Sequence, residues 1–137
     1  MIEHKKSLIE FRLIEANDSL KEATVLLQSG MSFRSVMNLL YYAMFYAVLS
    51  LLQDKAIGTS KHSGAIALFD REYVKTGDFT KEMSKALHRA FQLRQIGDYM
   101  EETIVTLEDI EEIRPLAEQF VTNVENFFSG NNTPDSR

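Results

Sequence analysis

The chain has no cysteine and no tryptophan, and only two prolines, six glycines and three histidines in 137 residues. Without cysteine there are no disulfides and no thiolate metal sites, a composition that fits the cytoplasm. His4, His62 and His88 lie far apart in sequence, so a histidine-rich metal centre is not expected. Gly-rich phosphate loops, His-Glu-x-x-His and Gly-x-Ser-x-Gly are also missing, so neither a metal nor a cofactor is called for. The opening residues Met1 to Lys6 lack the apolar core of a signal peptide. Val36 to Leu52 carry no charge over seventeen residues, at the lower limit of the roughly 17–25 that span a bilayer. Asn38, Tyr41, Tyr42, Tyr46 and Ser50 are scattered along that stretch, whereas membrane tyrosines gather at the ends. A helix buried on most sides, with no membrane association, is the better reading.

Scarcity of breakers leaves 3.6-residue periodicity nearly everywhere, and the expected fold is an all-α, up-and-down bundle of four to five helices. The first helix runs from Glu3 to Gln28, with Ile9, Leu13, Ala16, Leu20, Ala23 and Leu27 as its seam, and Gly30 stops it. The second spans Phe33 to Asp54 and is apolar around most of its circumference, which makes it the central one. Gly58-Thr59-Ser60 reads as a turn, with Ser60 capping a third helix from Lys61 to about Lys75. Gly77-Asp78 ends that helix, and Thr80 caps a fourth that continues past Tyr99. Thr106 to Asp109 resembles a capping box for a fifth, in which Pro115 should introduce a kink. One domain is expected over residues 1–128, followed by a polar, disordered tail over 129–137.

The net charge of −5 is unevenly placed. Residues 61–94 hold seven Lys/Arg against four Asp/Glu, whereas residues 100–129 hold one Arg against eight acids. An acidic protein can therefore carry a basic face, and overall acidity opposes indiscriminate nucleic-acid coating without opposing a small phosphate site.

The fourth helix breaks its own packing rule. Met83, Ala86, Leu87, Ala90 and Phe91 mark an apolar face that, carried forward, presents Arg94, Gly97 and Asp98. Charges buried at such places cost several kcal/mol unless paired, so the break marks either a structural ion pair or a site. Gly97 inside a helix costs about 1 kcal/mol relative to alanine, and close approach of another backbone would compensate. A symmetric homodimer is the simplest assembly that provides it.

Three further groups have two readings each. Tyr41, Tyr42 and Tyr46 read first as core aromatics whose hydroxyls find partners, and second as surfaces on which bases stack. Lys61-His62-Ser63 reads as an exposed helix cap, or as a phosphate site at a positive helix end. Glu101, Glu102, Glu108, Asp109, Glu111 and Glu112 read as a solvated face.

Four ordered blocks resemble a known family. Asn38-Leu39-Leu40-Tyr41-Tyr42-Ala43-Met44-Phe45-Tyr46-Ala47 is similar to its N-R-A-Y-Y-A-M-F-H-A helix, and Lys61 to Phe69 to its K-x-H-S-G-x-I-x-x-F block. Tyr73 to Gly77 is similar to the turn that follows, and Leu87 to Tyr99 to the R-x-x-x-D-Y helix. This is the HEPN superfamily, in its group of small standalone members of the UPF0332 type, and the resemblance covers about residues 5–128. It implies a helical bundle that dimerises and, in many relatives, pairs with a minimal nucleotidyltransferase in toxin–antitoxin or defence modules. Active members are metal-independent ribonucleases with Arg, four to six residues, then His. There the arginine stabilises phosphate charge and the histidine moves the proton of the ribose 2′-hydroxyl.

Arg94 matches the motif arginine, but no histidine follows His88, and Tyr99 stands at the R-x4-H position behind Asp98. Leu39 also occupies a position where many relatives carry arginine. The leading expectation is a dimeric RNA- or nucleotide-associated partner of a nucleotidyltransferase, with Lys61, His62, Arg94 and Tyr42 as the phosphate- or RNA-binding set. The enzymatic alternative is a ribonuclease using Arg94, Asp98 and Tyr99, with His62 as an additional group. A third is a structural binding module in which Arg94 and Asp98 only organise the dimer. Relatives also receive nucleotide groups on a tyrosine two residues beyond the motif histidine. That register falls on Glu101 here, which leaves Tyr99 as the nearest phenol for such a modification.

Overall fold

A computed structural model describes residues 2–59, 61–99 and 104–130, without the side chains of Ile2, Gly97, Asp98 and Tyr99. The described chain is all-helical and contains no strand. Its five α-helices are α1 (Ile2–Gln28), α2 (Phe33–Asp54), α3 (His62–Phe69), α4 (Lys81–Tyr99) and α5 (Leu107–Ser129). They form the expected up-and-down bundle, and α2 is its axle, packed against each of the other four.

The burial of α2 follows from its sequence. Val36, Met37, Leu40, Tyr41, Ala43, Met44, Ala47, Val48, Leu51 and Leu52 are all essentially inaccessible. Such a helix is long and apolar enough to cross a membrane by length and composition, yet most of its apolar window is covered by the bundle. Along α1, Ile9, Ala16 and Ala23 are buried, and Leu13, Leu20 and Leu27 flank them half-buried. Small residues therefore sit at the closest approach to α2, with leucines at its margins. Ile110, Ile113, Ala117, Phe120, Val121 and Val124 give α5 its buried face, and Pro115 lies inside that helix without ending it.

Several ends are fixed by local chemistry. Thr106 and Asp109 form a reciprocal capping box, with Asp109 N–H donating to the Thr106 hydroxyl at 3.2 Å and Thr106 N–H to the Asp109 carboxylate at 2.9 Å. Met83 N–H donates to the Thr80 hydroxyl at 3.2 Å, as a cap of α4 should receive. Gly30 closes α1 in the left-handed region at φ 77°.

Three expectations need correction. The turn after α2 lies at Lys55 and Ala56 rather than at Gly58 and Thr59. Ile57 N–H donates to Leu52 at 2.9 Å and Ala56 N–H to Gln53 at 3.0 Å, a Schellman closure with Ala56 at φ 57°. Seating the half-buried Ile57 against the core decides the position, and alanine bears the strain that the glycine two residues later does not relieve. The third helix is not continuous to Lys75: after Phe69 it widens into a π-helical turn over Asp70–Val74, with Lys75 N–H donating to Asp70 across five residues at 2.9 Å. This winding buries both Phe69 and Tyr73, whose hydroxyl donates to the Leu51 carbonyl at 2.6 Å. At the other end, Ser129 belongs to α5 and Gly130 caps it at φ 80°. Ser60, the run of α4 past Tyr99 and the tail over 131–137 lie outside the described residues.

Candidate functional site: an arginine over a tyrosine–histidine cluster

Three helices converge where the apolar face of α4 fails. On α2, Asn38, Tyr42 and Tyr46 follow one another at i, i+4 and i+8, and Tyr41 and Phe45 lie beside them. The first turn of α3 supplies His62, and α4 supplies Phe91 and Arg94 one turn apart. Arg94 Nε donates to Asn38 Oδ1 at 3.1 Å, and its guanidinium carbon lies 5.7 Å from the Tyr41 ring centre and 5.5 Å from that of Tyr42. A guanidinium over two aromatic faces within about 6 Å is attracted by both ring quadrupoles. Leu93, the neighbour of Arg94, takes up the buried position on α4, so the helix keeps its core seam while Arg94 turns to the rim.

His62 is a further correction to the sequence reading. It begins α3 as expected, yet it is no exposed cap. Its ring stacks on Phe45 at 4.2 Å between centres and runs nearly parallel to Phe91 at 6.4 Å. Tyr41 Oη lies 2.8 Å from Nδ1 and Tyr42 Oη 3.5 Å from Nε2. In a neutral imidazole one nitrogen accepts and the other donates, so two hydroxyls satisfy either tautomer. Burial lowers the His62 pKa and the nearby Arg94 charge lowers it further. Burial also raises the Tyr41 phenol well above its ordinary value, against a smaller opposite pull from Arg94. Tyr41 therefore stays protonated, and His62 stays neutral at physiological pH.

Arg94 and Asn38 line a cleft of about 550 Å³, with Leu26, Arg34, Ser35 and Leu39 as its other walls. Two arginines from different helices share this cleft. Arg34 is exposed near the start of α2, next to the Ser32–Ser35 cap.

The sequence-derived candidates thus separate. Tyr42, His62 and Arg94 come together. Lys61 is exposed at the N-cap of α3, with no side-chain capping bond. The side chains of Asp98 and Tyr99, and with them the expected Arg94–Asp98 pair and the modification of Tyr99, lie outside the described residues. Asn38, Phe45 and Arg34 are members to which the sequence reading gave no role, while Tyr41, read as a core aromatic whose hydroxyl finds a partner, is one. The i, i+4 spacing of Asn38 and Tyr42 was the available signal for Asn38. Among the described residues no group of three or more acidic or histidine side chains is placed to hold a metal. On α5, Glu108, Glu111 and Glu112 are exposed as expected, and Arg89 of α4 reaches Glu112 at 3.1 and 3.3 Å.

An all-helical bundle is the form that the HEPN blocks implied. The chain belongs to the HEPN domain family, whose model matches residues 9–127. It is 39% identical over 121 residues to a UPF0332 protein of Thermotoga maritima, covering 88% of this chain and 91% of that relative. It is also 34% identical over 88 residues to a Methanocaldococcus jannaschii protein named "Putative toxin MJ0142", covering 64% of this chain and 60% of the other.

Proposed function

We propose that the Arg94 centre binds RNA phosphate and that the protein is a toxin-type HEPN component, a homodimer acting with a nucleotidyltransferase partner. The observation that carries this reading is Arg94 itself, oriented by Asn38 above the faces of Tyr41 and Tyr42 at the edge of an open polar cleft. A guanidinium presents five N–H donors in a fixed fork suited to phosphate oxygens. The half-buried Tyr42 offers an aromatic face for a base beside it. The relative named as a toxin supports the biological setting.

Expression in a host, alone and beside a nucleotidyltransferase encoded next to this gene, tests the setting. Growth arrest that the neighbour relieves and that Arg94→Ala abolishes is the expected result. Equal growth with wild type and Arg94→Ala would count against it, as would undiminished RNA binding by Arg94→Ala.

A second reading is favoured by His62. The family motif needs a histidine after the arginine, and none follows in sequence, yet the fold brings a neutral histidine close enough for Arg94 to influence its protonation. In a metal-independent ribonuclease, His62 would take the 2′-hydroxyl proton as that oxygen attacks phosphorus, the bond to the 5′-oxygen breaks and the leaving oxygen takes a proton from water, while Arg94 stabilises the charge on the phosphoryl oxygens. RNA cleavage persisting in a chelator and lost in His62→Gln is the result this reading expects. Binding without cleavage leaves the first reading alone.

A further inference from the structure

The outer face of α1 carries a second seam, opposite the one that packs on α2. Phe11, Ile14, Asp18, Lys21, Val25 and Gln28 follow one another at intervals of three and four residues, and every one of them is exposed. On a helix, positions so spaced make one continuous stripe. Phe11, Ile14 and Val25 stand 52%, 58% and 57% exposed. Single apolar residues on a surface need no explanation, but three aligned at seam spacing do. The polar groups flanking the stripe are already engaged within the chain. On one side Asn17 donates to Glu125 at 2.7 Å and Thr24 accepts from Arg114 at 3.0 Å, both toward α5. On the other, Arg12 holds Glu15 at 2.8 Å.

We infer that this face of α1 is the surface on which a second copy of the chain docks, antiparallel and about a two-fold axis. The inference rests on the homodimer proposed above and adds where its contact lies and how the two copies are oriented. The stripe is complementary to its own reverse. An axis perpendicular to α1 and passing between Ser19 and Leu20 sets Asp18 against the partner's Lys21, Ile14 against the partner's Val25 and Phe11 against the partner's Gln28. Two-fold symmetry makes each of these pairs twice. A parallel pairing would instead set each charge against its own copy, and like charges repel. The apolar positions supply burial, while the central charges fix register and direction. Asp18 and Lys21 also divide the apolar positions, so the stripe suits a partner with the same charges in reverse order better than the interior of a lipid surface.

Sedimentation of the full chain over a concentration series reads the dissociation constant of the dimer. Asp18→Lys sets like charges against each other at two places and should weaken the dimer about tenfold, and Lys21→Asp should do the same. Both exchanges in one chain restore opposite charges and should return the constant to within about threefold of wild type. Mixing the two single variants should give heterodimers in preference to either homodimer, because each chain then meets the opposite charge at both positions. Ile14→Asp, which sets a carboxylate against the partner's Val25, should weaken the dimer by about a hundredfold. All three residues are exposed, so the variants should match the helix content and melting of the wild type at dilutions where it is monomeric. A wild-type dimer that none of these variants weakens would overturn the inference and leave a homodimer held elsewhere, as beside Gly97 on α4. Weakening by the single exchanges with no recovery in the double exchange would overturn the antiparallel pairing. A wild type that stays monomeric at every concentration would remove the inference and the homodimer together.

Discussion

Replacing Tyr41 by phenylalanine isolates one atom at the centre of the site. The Tyr41 ring is fully buried, with Phe45 at 5.9 Å, His62 at 5.6 Å and Phe91 at 5.5 Å between centres. Phenylalanine keeps all of that packing, so the cavity contribution that makes aromatic-to-alanine changes cost about 3–5 kcal/mol is absent. What is lost is the 2.8 Å bond to His62 Nδ1. A neutral hydrogen bond contributes about 0.5–1.5 kcal/mol net, and a buried group left unsatisfied costs about 1–3 kcal/mol. His62 is only half-buried, so water can partly replace the hydroxyl and the lower part of that range applies. The expected destabilisation is about 1–2 kcal/mol. In urea unfolding it appears as a lower midpoint at constant slope, a shift of roughly 0.3–2 M for slopes of about 1–3 kcal/mol per molar. A double-mutant cycle with His62→Gln should show coupling of at least about 0.5 kcal/mol, since neither single variant keeps the same pair. Additive effects, or a Tyr41→Phe loss within about 0.3 kcal/mol of zero, would mean that the phenol–imidazole bond does not hold the site together.

Because the folded-state pKa of His62 lies below its ordinary value, the neutral ring contributes stability above about pH 6.5, and this is lost as pH falls through the folded-state pKa. Arg94→Ala removes one cause of that depression, so the His62 midpoint followed by NMR should rise and the pH dependence of stability should shrink; identical midpoints would contradict the assigned cause. Ala56→Gly should stabilise the protein by about 0.5–1 kcal/mol, because glycine relieves the left-handed strain at φ 57° at some cost in unfolded-state entropy, and a lower melting temperature would show that this strain is not what governs the turn. A mass measurement at micromolar concentration should find a homodimer, and a population that stays monomeric would refute the assembly proposed here.

The bundle was legible because its helices are specified locally. The residues of α2 are apolar around the cylinder, and Thr80 and the Thr106–Asp109 box mark helix starts through bonds spanning only a few positions. Arg94 was legible as an interruption for the same reason. Its bond to Asn38 was not, since that bond joins positions 56 residues apart and periodicity identifies faces without saying which faces meet. His62 shows the same limit: its place at a helix start can be read, but its turn into a stack with Phe45 depends on where α2 passes. Arg34 carried no sequence signal beyond being a cation ahead of an uncharged run. Ala56 misled because the neighbouring glycine was the stronger local cue, although packing of Ile57 set the turn.

The wide turn at Asp70–Val74 has a consequence for how the length of this chain can change. Ordinary winding advances about 100° per residue, so removing any one residue from the segment would restore regular helix and swing everything after it around the axis by about that angle. Tyr73 would leave the Leu51 carbonyl, and Asp70 would lose its register with Ser84 and His88, which it now meets at 2.6 and 2.7 Å. An extra residue in the loop over 75–79 would leave this phasing intact. Descendants of this sequence should therefore gain and lose residues after Val74 more freely than before it, and the five-residue spacing from Asp70 to Lys75 acts as a ruler kept by the core.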